Sequence, residues 1–299
     1  MLLLVLALLA VVFAAAWRFW LLQVRREAAQ RASTAAPSAT GIALGAATNF
    51  FDTLGVGSFA PTTALFRVFR LVPDRLIPGT LNVGHALPTV AQALIFIAIV
   101  QVEPSTLLAL IAAAVAGAWL GAGMVSGWPR RRVQMGMGVA LLVAAALLAH
   151  QLLRGAPVGA DAVALYGSGL ALGIAGNFVL GALMTLGVGL YAPCMILVSL
   201  LGLNARAAFP IMMGSCAFLM PVAGLRFIAR GAYAPAAALG LTLGGIPAVL
   251  AAAYLVRSLP LDAVRVLIVA VAVLTAVSLL RSAADPDTTA STERLPILP

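Results

Sequence analysis

Across 299 residues the chain is 63% hydrophobic and 9% charged, with mean hydropathy +1.10, whereas a soluble domain of this size carries roughly 25% charged residues. The net charge of +9 does not indicate nucleic-acid binding, because every basic residue is Arg and most lie between apolar runs, the pattern that orients a membrane protein. Composition therefore excludes a soluble domain and implies a polytopic protein whose surroundings are the lipid bilayer.

The first apolar run is followed, not preceded, by its charges (Arg18, Arg25, Arg26, Arg31). A cleaved secretory signal has the reverse order. Residues 2–22 thus read as a retained anchor with the N-terminus outside, and Trp17 and Trp20 at the inner interface. Residues 1–35 form this anchor and a basic cytoplasmic linker. Further apolar runs fall at 40–66, 78–100, 105–127, 133–153, 162–203, 208–229, 233–256 and 263–280, and runs of about 18 or more residues read as membrane helices. The polar, Pro-bearing segment 283–299 reads as disordered.

Two of these runs contain nearly the same string: "TLGVGSFAP" at 53–61 and "TLGVGLYAP" at 185–193. At the same spacing Gly41-Ile42 matches Gly173-Ile174 and Pro78 matches Pro210; with one residue of drift, Pro129 and Val133 match Pro260 and Val264. The chain is accordingly read as two homologous units, 36–155 and 156–282, an arrangement on which many secondary transporters are built.

Cytoplasmic loops carry the excess of Arg. The segments 18–31, 67–75 and 129–132 are basic, so 40–66 must enter the membrane and return as a hairpin of two helical pieces. The next three spans then leave the second repeat starting from the opposite face. Arg226, Arg230 and Arg281 fall inside, with Arg206 and Arg257 as exceptions. The expectation is an all-α polytopic membrane protein of two inverted-topology repeats. Each is a broken helix hairpin plus three transmembrane helices, preceded by the anchor helix, with the C-terminus cytoplasmic.

Gly permits backbone conformations closed to other residues, and Pro removes an amide donor. Backbone freed in this way is tolerated at membrane depth only where it is buried in protein or lines a cavity. Helix N-termini after such breaks carry partial positive charge that suits an anion. The expected substrate region is therefore Thr53, Gly55, Gly57, Ser58 and Pro61 with Thr185, Gly187, Gly189 and Pro193. A competing reading has the glycines serve close helix packing alone.

Asp52 is the acidic residue placed inside an apolar run, and Asn49 precedes it by one turn. An ionised Asp at the bilayer centre costs about 2.5–3.5 kcal/mol on insertion scales and usually serves function. It reads either as a proton carrier or as a cap on the broken helix. In "NVGHALPTVAQ", Asn82, His85, Thr89 and Gln92 share one helical face, which must turn toward protein or water. His85 can titrate near neutral pH, so Asp52 and His85 are the candidates for proton coupling. Interhelical hydrogen bonding explains such a stripe equally well. The second repeat offers smaller groups, Gly214, Ser215 and Cys216, and a site would be asymmetric. Cys194, next to Pro193, reads as a small buried side chain or, less simply, a reactive thiol. Arg206 reads as an interfacial arginine or an anion attractor at the outer mouth.

No catalytic, metal-binding or cofactor-binding pattern stands out, so an enzyme is not expected. A carrier, a passive anion channel, or an intramembrane enzyme or scaffold are the readings to separate. The repeated Gly-x-Gly-x-x-x-Pro element among Gly-rich membrane helices resembles the TauE/SafE family of sulfite and sulfonate exporters over residues 40–280. Ser58 and Leu190 stand where that family often has a further glycine. The resemblance implies a small sulfur-containing anion as substrate and location in a bacterial inner membrane. A carboxylate is the other substrate class kept open, and a homodimer is compatible with this reading.

Overall fold

The computed structural model describes residues 36–125, 130–153, 162–184 and 189–284, with Val11, Ala15, Arg18 and Leu22 from the first 35. Those four are helical and exposed; the rest of the expected anchor lies outside the described residues, as do residues 285–299 of the expected tail, whose first two residues, Ala283 and Ala284, instead end a helix.

The described chain is helical: α1 (Ala39–Thr53), α2 (Phe59–Val68), α3 (Ile77–Gly84), α4 (Ala86–Ile99), α5 (Pro104–Val125), α6 (Arg130–Leu153), α7 (Gly167–Met184), α8 (Tyr191–Leu200), α9 (Ala208–Ala229), α10 (Pro235–Ser258) and α11 (Leu261–Ala284). Short 3₁₀ turns, Asp74–Leu76 and Ala205–Ala207, precede α3 and α9. Among the described residues six helical stretches are long and apolar enough to cross a membrane. Multi-pass insertion follows from elementary accounting: an α-helix satisfies its own backbone where lipid offers no partner. Exposed side chains agree. On α6, Val139, Val143 and Leu147 recur at every fourth residue and are exposed, which makes one apolar stripe along the helix.

The expected break within 40–66 is present as two helices, and glycine rather than proline makes the turn between them. α1 ends in a Schellman motif: Gly55 N–H donates to Asp52 C=O at 2.8 Å and Val56 N–H to Phe51 C=O at 3.1 Å. This closure puts the residue after the cap in the left-handed region, and Gly55 has φ 99°. Gly57 (φ 85°) then redirects the chain into α2. Pro61 is the third residue of α2, a first-turn position whose N–H would have no intrahelical partner to lose. It starts a helix; it does not break one.

The expected continuous span 78–100 is instead two helices joined at His85, whose backbone lies at φ −89°, ψ −10°. Pro88 has no N–H to offer the Gly84 carbonyl four residues back. The Thr242 hydroxyl from α10 fills the vacancy at 2.8 Å.

Packing defines two compact units, each drawing on both sequence halves: Met1–Ile111 with Phe209–Pro260, and Ala112–Ala208 with Leu261–Pro299. Lipid tails are as apolar as Leu, so membrane helices gain from close approach and interhelical polar contacts more than from burying oil. In the first unit α1 and α10 meet on bare backbone. A Cβ built on Gly45 would lie 2.6 Å from Leu241 Cα, and one on Gly244 would lie 1.9 Å from Ile42 O. Leu44, Phe66, Val72, Ile77, Leu81 and Leu241 fill the space beside this crossing. In the second unit α5 and α7 cross as closely, with Ala114 O 1.9 Å from a Cβ built on Gly181. There α6 also packs on α11, with Gly138 against Leu280 and Gln134 reaching Ser282.

Local structure recurs at the sequence spacing of 132. α2 and α8 have the same bounds at that offset. α2 ends at Arg70 (φ 50°) with Leu71 N–H on Phe66 C=O; α8 ends at Gly202 (φ 88°) with Leu203 N–H on Val198 C=O. A 3₁₀ turn follows each.

Candidate functional site

The turn between α1 and α2 brings the polar residues of the first unit together, and every member is buried. Asn49, Asp52 and Thr53 come from the last turns of α1, Thr62 from the first turns of α2, His85 from the α3–α4 joint, and Thr89 and Gln92 from α4.

His85 is the centre of one branch. Its Nδ1 faces Asn49 Oδ1 at 3.0 Å and its Nε2 faces Thr62 Oγ1 at 3.0 Å. The Asn49 amide nitrogen donates to Gly45 O at 2.8 Å and reaches Leu241 O at 3.4 Å. Thr62 Oγ1 also lies 2.7 Å from Ser58 O. The Phe59 ring sits beside the imidazole, centroids 6.2 Å apart.

Gln92 is the centre of the other branch. Its Nε2 donates to Asp52 Oδ2 at 2.9 Å and Thr53 Oγ1 at 2.8 Å, and Thr53 in turn donates to Asn49 O at 2.8 Å. Asp52 is thus engaged by a side chain of another helix. The backbone start of α2 has no side-chain bond from its own N-cap, Ser58.

Bonds between membrane helices average about 0.6 kcal/mol apiece, while a buried group left unsatisfied costs about 1–3 kcal/mol. The network is therefore a weak contributor to folding and a strict constraint on geometry. One hydroxyl is left over. Thr89 Oγ1 is buried and has no hydrogen-bond partner among the described residues, although His85 at the joint precedes it by one turn and Gln92 follows it on α4.

No family model, curated protein or solved structure matches the chain. Function is read from its own chemistry.

The remaining expected site residues divide by position. Gly55 and Gly57 act through backbone, Ser58 through its carbonyl, and Pro61 is half-buried beside them. Asn82 turns away: its amide donates to Pro78 O on its own helix and it is half-buried, because the joint at His85 takes it off the face shared by Thr89 and Gln92. Ser215 donates to Ile211 O within α9. Gly189, Pro193 and Cys194 belong to the second unit; Cys194 is a buried free thiol on α8. Thr185 and Gly187 lie outside the described residues.

Thr62 and Thr242 escaped the sequence reading. Both are isolated threonines in apolar runs, and a helical Thr usually bonds its own backbone four residues back. Thr62 was detectable as the first polar residue one turn into the second piece of the hairpin. Thr242 carried no signal, since its partner carbonyl is 158 positions away.

Proposed function

We propose that the chain is a secondary transporter of a small anion. In this reading the α1–α2 break is the binding region, and Asp52 and His85 are the titratable groups available for proton coupling. The observation that carries the reading is the fully buried polar network built around a helix break inside apolar spans. Ionisable residues are retained in such places chiefly for function, and broken helices at membrane depth are how many carriers build their sites. The spare Thr89 hydroxyl supports it, as a buried polar group without a partner calls for an explanation such as a ligand. So does the N-terminus of the ten-residue α2, a partial positive charge adjoining the turn, where a Cβ on Gly57 would meet nothing within 4 Å.

The matched caps and turns of α2 and α8 favour gene duplication. Together with the Arg distribution they favour inverted repeats, and alternating access around the two motif hairpins. The resemblance to TauE/SafE exporters favours sulfite or an organosulfonate as cargo in a bacterial inner membrane, with N-terminus periplasmic and C-terminus cytoplasmic.

The test is flux. Protein in proteoliposomes is offered sulfite, methanesulfonate and acetate with and without a pH gradient. Saturable uptake with counterflow of at least one anion is expected. Non-saturating flux without counterflow identifies a channel, and no flux of any of them overturns the reading. Asp52→Asn is expected to stay folded, because an amide oxygen still accepts from Gln92.

A further inference from the structure

We propose that His85 is a proton-carrying group, and that Asn49 and Thr62 make it a two-state proton site. Asn49 holds the neutral ring as the Nδ1–H tautomer, and the Thr62 hydroxyl turns over when Nε2 takes its proton.

The assignment follows from donors and acceptors. The Asn49 amide nitrogen is directed at two carbonyls, Gly45 O and Leu241 O, which only accept. Its oxygen is therefore the atom facing His85 Nδ1. That oxygen cannot donate, so Nδ1 carries a hydrogen in every state. Nε2 faces Thr62 Oγ1, which can donate or accept. With the ring neutral, the Thr62 hydroxyl donates to Nε2. With the ring protonated, Nε2–H donates to Thr62 Oγ1 and the hydroxyl turns to Ser58 O, 2.7 Å away. Ser58 O is not stranded in the first state, since Thr62 N–H donates to it at 3.0 Å. Both protonation states thus leave every partner satisfied, a property that an ordinary structural histidine does not need.

Few charges compete. α1 contributes Asp52, and α3 and α4 contribute no ionisable group besides His85. α2 carries Arg67, exposed and paired with Asp74. α9 has buried Cys216 and exposed Arg226, and α10 has exposed Tyr254 and Arg257. Protonated His85 is then the cation that the buried network can present to an anion, and its hydroxyl switch acts on the first turn of α2, beside the motif.

The coupling role rests on the transporter reading; the switch itself is tested without substrate. The full chain carrying [15N]histidine is placed in lipid nanodiscs, with His150→Gln used to assign the two rings, and followed by NMR as the pH falls. A neutral Nδ1–H tautomer is expected, converting to imidazolium while the protein stays folded. An Nε2–H tautomer, or a ring that stays neutral until unfolding, overturns the proposal. Hydrogen bonds to charged groups are stronger than those to neutral ones, so Thr62→Val should weaken proton binding about five- to tenfold. Thr62→Ser should restore it, and a Thr62→Val titration unchanged from that of the native chain also overturns the switch. An intact titration with no anion flux would instead sink the transporter reading alone.

Discussion

The joint at His85 makes a sharp prediction, because one residue creates a vacancy and another, far away in sequence, fills it. Pro88 denies the Gly84 carbonyl its helical donor, and Thr242 supplies a hydroxyl at 2.8 Å. Thr242→Val keeps the shape and removes the donor. A buried carbonyl left unsatisfied costs about 1–3 kcal/mol, and the largest measured couplings between membrane helices are about 1.7 kcal/mol. A loss of about 1–2 kcal/mol is therefore expected. In a Pro88→Ala background the amide at position 88 can take the Gly84 carbonyl, and the same Thr242→Val change should cost only a few tenths. The double-mutant cycle then gives a coupling of about 1 kcal/mol, within the range seen for residues sharing one partner. Reversible unfolding in mixed detergent micelles, read by tryptophan fluorescence, measures all four proteins, with Thr242→Ser as the control that retains the hydroxyl. An equal cost of Thr242→Val in both backgrounds would refute the reasoning, as would no cost in either.

At the α1–α10 crossing, Gly244→Ala drives a methyl group onto the backbone of α1, 1.9 Å from Ile42 O. The same unfolding assay should show a loss of about 1–3 kcal/mol or more, whereas Gly136→Ala, exposed on α6 with open space around it, should show none. Glu103, in the loop before α5, accepts from the Ser105 hydroxyl and from Thr106 N–H. These bonds lower its pKa from the ordinary 4.5 to about 2. A depressed carboxylate stabilises the fold above its unfolded pKa and loses that contribution as pH falls through the folded value. Stability should thus fall between pH 4.5 and about 2, and Glu103→Gln should flatten the profile there in an acid-unfolding series. Cysteines introduced at Arg131 and Ser258, both exposed, should label from opposite sides of the membrane if the repeats are inverted. Labelling from one side would remove the inverted topology.

Much of this molecule is written locally. A run of apolar residues must become a helix in lipid wherever it lies, so composition alone implied the spans. Gly55 and Gly57 announce a turn through the backbone angles they permit. Asp52 and His85 were legible for the converse reason: an ionisable group in an apolar run has to be accommodated by something.

What the sequence by itself determined, then, was the apolar spans, the break at 53–61 and the residues whose chemistry is out of place in lipid. The tertiary structure alone decided which of those residues meet. Asn82 and Thr89 look equivalent on a helical wheel, yet the joint at His85 separates them, because the carbonyl freed by Pro88 finds its donor on α10. Tertiary packing likewise brought Thr62 to the imidazole and directed the Asn49 amide at Leu241 O. Those are contacts between residues far apart in the chain, set by how closely glycine-faced helices can approach. No local preference encodes them.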